Sequence, residues 1–140
     1  MSSVVVTQDD VKQALAEIPF AKQLGIYPLL MGNELTLVLP YAPHIIGNPM
    51  LKALHGGAVG AFLETTAIVQ LSLTGGKMPK PIGINIDYLR RGKPQDTFAR
   101  ATVARQGSRV ANVRVKAWQE NVRNPIAILH GNFLISKDKK

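Results

Sequence analysis

The feature that most constrains this chain is a long apolar segment from Gly57 to Leu73. At helical spacing its apolar residues fall on nearly every side, and Gly75-Gly76 follows as a pair that can end a helix. A helix that is apolar all round must be covered all round. The segment therefore predicts a buried central helix, and a strongly curved sheet would supply the cover.

The flanking sequence predicts one short helix and a series of strands. Thr7 suits an N-cap and Asp9 and Asp10 suit a first turn, so a helix is predicted from about residue 8 to about residue 22. The segment Tyr41–Leu54 is predicted to be a loop, because prolines and a glycine interrupt it. Alternating apolar residues predict strands over these ranges: Glu34–Leu39, Ile82–Tyr88, Phe98–Arg105, Arg109–Gln119 and Ile126–Ile135.

This order of elements predicts a single α+β domain over residues 1–140, with a mostly antiparallel sheet. Hydrophobic residues make up 46% of the chain and charged residues 19%, which is ordinary for a globular domain with its own core. The sheet of one subunit would have unpaired edge strands. We therefore expect pairing with a second copy of the chain.

Composition excludes several functional classes. The chain has no cysteine, which excludes disulfides, thiol catalysis and a thiolate metal site. His44, His55 and His130 lack metal-ligand spacing, so no metal is predicted. The start of the chain has no signal-peptide features, and no window is apolar enough to span a bilayer, so we expect a cytoplasmic protein. A net charge of +8 favours a polyanionic partner, which leaves nucleic acid, anionic membrane and a phosphorylated small molecule open.

Glu64 is the most informative residue, because it lies near the middle of the apolar segment. An ionised carboxylate is costly in such a place unless it has a partner. Helical spacing puts Gly57, Gly60 and Ala61 on the same side as Glu64, where their small size leaves room. Two interpretations stay open. In the first, the helix face that carries Glu64 packs closely against another helix, and Glu64 is bonded to a partner chain. In the second, this face forms the floor of a pocket, and the carboxylate points at a ligand.

Gly56 and Gly57 lie at the predicted start of the helix. Backbone N–H groups there have no intrahelical acceptor, and the helix dipole favours negative charge. A thioester carbonyl develops such a charge when a nucleophile attacks it. Donors at these glycines, with Glu64 on the same helix, therefore indicate an acyl-transfer site. His55 precedes the glycines and is either structural or a proton-transfer residue.

These motifs resemble those of the hotdog-fold acyl-CoA thioesterases, near the branch typified by phenylacetate-pathway and 4-hydroxybenzoyl-CoA thioesterases. The resemblance covers most of the chain, from Asn48 to Ile135. The residues that carry it are His55-Gly56-Gly57, the acid nine positions after that histidine (Glu64), INIDYLRRG at Ile84–Gly92 and QGSR at Gln106–Arg109.

The resemblance implies a hotdog fold, in which a curved antiparallel sheet wraps around one long central helix. It also implies obligate dimers, often paired into tetramers, with the active site between subunits. By resemblance, Gly56, with Gly57 as a second candidate, would polarise the thioester carbonyl. Glu64 would act as nucleophile or as general base on water. Coenzyme A would be part of the substrate, and no separate cofactor is implied.

Two positions differ from the pattern of the relatives. Relatives often carry an Asn or Gln one position closer to the histidine, whereas Asn48 lies seven residues before His55. Asn48 is the candidate here for holding water or the carbonyl. Some relatives use a Ser or Thr near the start of the next strand, but here Lys80-Pro81-Ile82 offers no hydroxyl.

Basic residues cluster after one predicted strand and around the hairpin turn. Coenzyme A carries a pyrophosphate and a ribose phosphate, which arginine and lysine side chains can clamp. Arg105 and Arg109 flank the turn. We predict coenzyme A contacts from these residues: Arg90, Arg91, Lys93 and Arg109. A solubilising surface is the alternative for each of them.

Two other functions stay open. Hotdog folds also host (hydroxy)acyl-CoA or acyl-carrier hydratases and dehydratases, which pair a catalytic histidine with an acid, and His55 is available for that role. A non-enzymatic acyl-CoA sensor or a nucleic-acid-binding module would also suit the charge. The basic strands lack interleaved aromatic residues, so the expected partners are an acyl-CoA and further copies of the chain, as a dimer or a dimer of dimers, with no nucleic acid and no membrane.

Overall fold

The computed structural model describes residues 7–31, 34–48, 50, 52–73 and 78–136. Within these ranges the helices are α1 (Gln8–Ala16), α2 (Pro19–Leu24) and α3 (Gly56–Ser72), with a short 3₁₀ helix at Pro43–Ile45. The strands are β1 (Tyr27–Met31), β2 (Glu34–Leu39), β3 (Ile46–Asn48), β4 (Ala53–Leu54), β5 (Lys80–Tyr88), β6 (Thr97–Gln106), β7 (Val110–Trp118) and β8 (Ala127–Leu134).

The N-terminal helix predicted over residues 8–22 is in fact two helices, so that prediction was wrong. Thr7 caps α1 as expected, because its hydroxyl accepts the Asp10 N–H at 3.2 Å. The chain then leaves the helical region at Ile18, which has φ −114° and ψ 99°. The residue before a proline is disfavoured in the α region, and Pro19 starts α2 as its first helical residue.

Six strands form one antiparallel sheet in the order β1-β2-β6-β7-β8-β5. The five predicted strands are present, with ends that differ by a few residues. The hairpin between β6 and β7 is also confirmed, since the N–H of Gly107 donates to the carbonyl of Val110 at 2.9 Å. Strands β1 and β5 lie at the two edges of the sheet.

The segment Tyr41–Leu54 is not simply a loop, so that prediction was wrong as well. It contains β3 and β4, which pair antiparallel with Ile46 opposite Leu54 and Asn48 opposite Ala53. The register shifts between Ile46 and Asn48, which leaves Gly47 as an extra residue in the ladder. A bulged pair of two short strands has too little alternation to be predicted from sequence.

Helix α3 packs on one face of the sheet, against β2, β6, β7 and β8. Phe62 and Leu63 of α3 are fully buried there, which confirms the predicted central helix. The cover is not complete within one chain, because Ala61, Glu64 and Ile68 are only partly buried. These three positions follow one another at helical spacing and form a stripe along α3.

Candidate active site

His55 organises the start of α3. It is the N-cap residue, and its Nδ1 accepts the N–H of Gly57 at 2.9 Å. Because Nδ1 accepts this hydrogen bond, its lone pair is occupied and is not available to a second donor. The carbonyl of His55 accepts the N–H groups of Ala58 at 3.0 Å and Val59 at 3.1 Å. The N–H of His55 donates to the carbonyl of Ile45 at 2.7 Å, which ties the start of α3 to the 3₁₀ helix.

The two glycines predicted as oxyanion donors are not equivalent. The N–H of Gly57 is occupied by His55, and a Cβ at position 57 would lie 2.9 Å from the imidazole ring. Within the described residues, the N–H of Gly56 has no hydrogen-bond acceptor, and the residue is exposed. The first turn of α3 therefore offers one free amide, that of Gly56.

Tyr88 is a site residue to which the sequence assigned no role beyond its strand and the INIDYLRRG motif. It ends β5, and its hydroxyl donates to the carbonyl of Gly56 at 2.7 Å. The same segment touches the helix start a second time, because the N–H of Leu54 donates to the carbonyl of Gly92 at 2.9 Å. The INIDYLRRG and HGG motifs therefore meet in space, a pairing that neither motif shows alone.

Glu64 lies half-buried on α3, on the stripe it shares with Ala61 and Ile68. Within the described part of the chain, its carboxylate has no hydrogen-bond or ion-pair partner. It is eight residues after Gly56, so the two positions are about 12 Å apart along the helix axis. The structure of one chain thus places both candidates on one helix but does not bring them together.

The small residues near Glu64 have specific neighbours. The space over Gly57 is filled by the ring of His55. A Cβ at Gly60 would lie 3.0 Å from the hydroxyl oxygen of Tyr88 and 3.2 Å from Cδ1 of Ile86. The glycines therefore accommodate other side chains of the same chain, and only part of the predicted open floor beside Glu64 is free.

A largely apolar cavity of about 370 Å³ opens beside His55. Its lining comes from α2, the 3₁₀ helix and the first turn of α3: Phe20, Gln23, Leu24, His44, Ile45, His55, Gly57 and Ala58. Gly47 packs directly on His55, since a Cβ there would lie 2.9 Å from the Cα of His55. Asn48 follows Gly47 and so has its backbone near the site, but its side chain lies outside the described part of the structure.

The predicted coenzyme A residues separate into two groups. Arg90, Arg91 and Lys93 line one cavity of about 750 Å³, which also contains Gln119, Glu120, Asn121, Asn124 and Ile126. Arg109 directly precedes the first residue of β7, whereas Gln119 of this cavity directly follows its last residue. A strand of nine residues spans about 27 Å, so Arg109 lies about that far from the cavity. Arg105 also lies at that end, in a separate cavity of about 270 Å³.

Among the described residues that line the larger cavity, Glu120 is the one acid. Its carboxylate lies 2.8 Å from Nζ of Lys93, and this hydrogen bond and charge hold the pKa of Glu120 below its ordinary value. The backbone N–H of Lys93 donates to the side-chain carbonyl of Gln119 at 2.9 Å. The cavity is therefore basic, and the charge of Lys93 is partly neutralised by Glu120.

The described residues include no cluster of three or more histidine, aspartate and glutamate side chains that could hold a metal ion. None of the helices in the described part of the chain combines the length and the apolar character needed to cross a bilayer.

An antiparallel six-stranded sheet packed against one long, largely buried helix is the arrangement of the hotdog class of α+β folds. The thioesterase superfamily matches residues 51–126, and the chain belongs to this family. Family membership supports thioester hydrolysis as the general activity. No curated protein matches the sequence significantly.

Several solved structures are similar over almost the whole chain. A protein from Chromobacterium violaceum is 33% identical, with a TM-score of 0.72 over 91% of this chain and 93% of its own. A thioesterase from Haemophilus influenzae is 22% identical, with a TM-score of 0.80 over 96% of this chain and 93% of its own. The PaaI protein of the E. coli phenylacetic acid degradation operon is 20% identical, with a TM-score of 0.76 over 93% and 96%. The last two likenesses establish the fold alone.

Proposed function

We propose that this protein hydrolyses an acyl-coenzyme A thioester to the free acid and coenzyme A. The observation that carries the proposal is the free N–H of Gly56 at the start of α3, in a chain of the thioesterase superfamily. That amide would donate to the thioester oxygen as negative charge develops on it. The N–H of Gly57 would not contact the substrate, because it donates to His55. Gly57 would contribute only by holding the histidine in place.

Glu64 supplies the second half of the reaction. It would either take a proton from water, whose oxygen then adds to the carbonyl carbon, or attack that carbon itself and form an anhydride that water opens. In both routes the carbon–sulfur bond breaks, and the thiolate of coenzyme A leaves and takes up a proton. An unpaired, half-buried carboxylate suits both roles.

The site would be shared between two subunits. Along one helix Gly56 and Glu64 are about 12 Å apart, which is too far for both to act on one carbonyl. If two α3 helices run antiparallel across a twofold axis, Gly56 of one chain meets Glu64 of the partner subunit. The partly buried stripe of Ala61, Glu64 and Ile68, with its small residue, is suited to such close packing.

The edge strand β5 also favours a dimer. Ile82 is 59% exposed and Tyr88 is 55% exposed in the single chain, which is unusual for large apolar side chains. An edge strand with free N–H and carbonyl groups is a template for pairing with another strand. The proposed assembly is therefore a homodimer, alone or paired into a tetramer.

Two of the cavities would hold the two ends of the substrate, the coenzyme A end and the acyl end. The basic cavity of Arg90, Arg91 and Lys93 would take the phosphates of coenzyme A, and it begins two residues after Tyr88, which contacts Gly56. The apolar cavity beside His55 would take the acyl group, with Phe20 among its walls. Arg109 would reach the nucleotide only from another subunit.

Substitution of Glu64 by Gln tests this function directly. Release of free thiol from a panel of acyl-CoA substrates should show a kcat lower by about 10²- to 10⁴-fold, the usual value of a general base. Melting temperature and dimer mass by light scattering should hold or improve, because a half-buried charge is removed. Glu17→Gln makes the same chemical change at an exposed residue of the N-terminal region and should behave as wild type.

The structural interpretation of Glu64 makes the opposite prediction. If Glu64 only pairs with a partner chain, Glu64→Gln would turn over near normally but form a clearly less stable dimer. Wild-type turnover in this variant contradicts the proposed mechanism. Hydration of crotonyl-CoA without thiol release would instead identify a hydratase.

A further inference from the structure

We propose that Tyr88 is a positioning residue, which together with His55 holds the Gly56–Gly57 peptide group from both ends and so aims the Gly56 N–H. The inference rests on the thioester hydrolysis proposed above. The carbonyl of Gly56 and the N–H of Gly57 belong to one planar peptide group. The Tyr88 hydroxyl donates to that carbonyl at 2.7 Å, and Nδ1 of His55 accepts from that N–H at 2.9 Å.

Gly56 needs such support because glycine has the widest backbone freedom of any residue. The peptide group before it is held through the carbonyl of His55, which accepts from Ala58 and Val59. The peptide group after it is held by Tyr88 and His55. Rotation about either backbone bond of Gly56 would turn one of these groups and break its hydrogen bonds. The direction of the free Gly56 N–H is therefore set from both sides.

The surface of α3 is shaped to seat Tyr88. A Cβ at Gly56 would lie 3.8 Å from the tyrosine ring, in ordinary contact. A Cβ at Gly60, one turn later, would lie only 3.0 Å from the tyrosine hydroxyl oxygen. A Cβ at position 60 would require the hydroxyl to shift by a few tenths of an ångström from its present place. The absence of a side chain at Gly60 therefore leaves room for Tyr88 beside the Gly56 carbonyl.

The arrangement acts on the transition state more than on substrate binding. The two bonds form a series, from the Tyr88 hydroxyl through one peptide group to His55, and hydrogen bonds in series strengthen one another. A donor that is already aimed at the developing oxyanion needs no reorganisation during reaction. Tyr88 itself does not touch the reacting atoms. Its loss should therefore lower kcat and leave KM nearly unchanged.

The kinetic test compares Tyr88→Phe with Tyr41→Phe. Both variants lose one phenol hydroxyl from an exposed tyrosine, but the described hydrogen bond of Tyr41 uses its backbone N–H and not its hydroxyl. For Tyr88→Phe we expect kcat to fall by about 10- to 100-fold, less than the 10²- to 10³-fold loss of a whole oxyanion donor. KM should stay within about twofold, as for a group that acts only in the transition state. Tyr41→Phe should match wild type in both.

A second measurement reports the hydrogen bond without any turnover. The sequence has two Gly-Gly steps, Gly56-Gly57 and Gly75-Gly76, so protein made with [1-¹³C,¹⁵N]glycine has only two directly bonded ¹³C–¹⁵N peptide pairs. Gly76→Ala removes the second pair and assigns the first. Loss of the tyrosine donor should move the Gly56 carbonyl resonance upfield in Tyr88→Phe and leave it in place in Tyr41→Phe.

The outcomes separate this inference from the proposed function. An unchanged Gly56 carbonyl resonance in Tyr88→Phe would overturn the inference, and so would a normal kcat in that variant of an active enzyme. A lower melting temperature with normal kcat would reduce Tyr88 to a structural residue. If wild-type protein releases thiol from no acyl-CoA, the proposed function fails and with it the catalytic role of Tyr88, while the carbonyl resonance still decides whether Tyr88 holds the peptide.

Discussion

The Nδ1 of His55 accepts the N–H of Gly57 at 2.9 Å, so the histidine of the HGG motif is a cap of its own helix. This bond uses the lone pair that a general base would need, and it removes one of two candidate oxyanion donors. It also explains why position 57 is glycine, since a Cβ there would lie 2.9 Å from the imidazole ring. His55 and Gly57 together leave Gly56 as the available donor.

Gly57→Ala should disturb catalysis without unfolding the protein. The added methyl group would displace the imidazole of His55 and release the Gly57 N–H. A misplacement of this kind costs about 10²-fold in kcat. Gly107→Ala is the matched control, because a Cβ there has only an ordinary contact of 3.4 Å. Thiol release and melting temperature are measured on both variants, and a wild-type kcat in Gly57→Ala would show that the cap has no catalytic importance.

A mixed dimer tests whether the site is shared between subunits. One chain carries Glu64→Gln and the other carries Gly57→Ala, and two different tags allow the heterodimer to be purified. If Gly56 acts with Glu64 of the partner subunit, one of the two sites is intact and the heterodimer keeps about half of wild-type activity. If both groups act within one chain, both sites are defective, and activity stays at the level of the two mutant homodimers.

Charge reversal in the basic cavity should weaken substrate binding selectively. A charge-assisted hydrogen bond contributes about 1.5–3 kcal/mol, so Arg90→Glu or Arg91→Glu should raise KM for acyl-CoA by about tenfold or more. The kcat at saturation should change little. Lys12→Glu on the exposed side of α1 makes the same change in net charge and controls for it. An unaltered KM in both arginine variants would place the nucleotide site elsewhere.

Glu120→Gln should have the opposite effect on KM. It removes the acid from the cavity and releases Lys93, so KM should fall by about two- to fivefold, the modest effect expected of an exposed charge pair. The hydrogen bond and charge of Lys93 hold the pKa of Glu120 below the ordinary value of a glutamate. The carboxylate therefore stays ionised at every pH above that ordinary value. The effect should therefore be constant from roughly pH 6 to pH 9. An increase in KM would show that Glu120 itself contacts the substrate.

Gly131→Ala should destabilise the sheet. A Cβ at this position of β8 would lie 2.7 Å from Cγ2 of Ile84 on β5 and 3.0 Å from Cε1 of Phe133. Overpacking of this kind typically costs about 1–3 kcal/mol of unfolding free energy. Urea unfolding at a fixed protein concentration measures the loss, with Gly107→Ala again as the control. Stability equal to wild type would show that β5 moves aside without cost.

Local pattern was enough to predict the central helix and the long strands. The apolar run of α3 leaves no polar face to expose, and the alternation in β2, β5, β6, β7 and β8 is regular, so each element is specified by its own residues. The short elements were not predicted correctly from local pattern. The break at Ile18 depends on one proline, and β3 and β4 together hold five residues around a bulge at Gly47.

The sequence by itself determined the fold class, the family resemblance and a candidate set at His55, Gly56, Gly57 and Glu64, because those residues are close in the chain and share one helix. Only the tertiary structure decided how they differ. Tyr88 reaches Gly56 from 32 residues away, and Arg109 lies at the opposite end of the sheet from Arg91. Both relationships depend on which strands are neighbours and in which direction they run. Long-range pairing of that kind is set by the packing of the whole chain, and no local spacing encodes it.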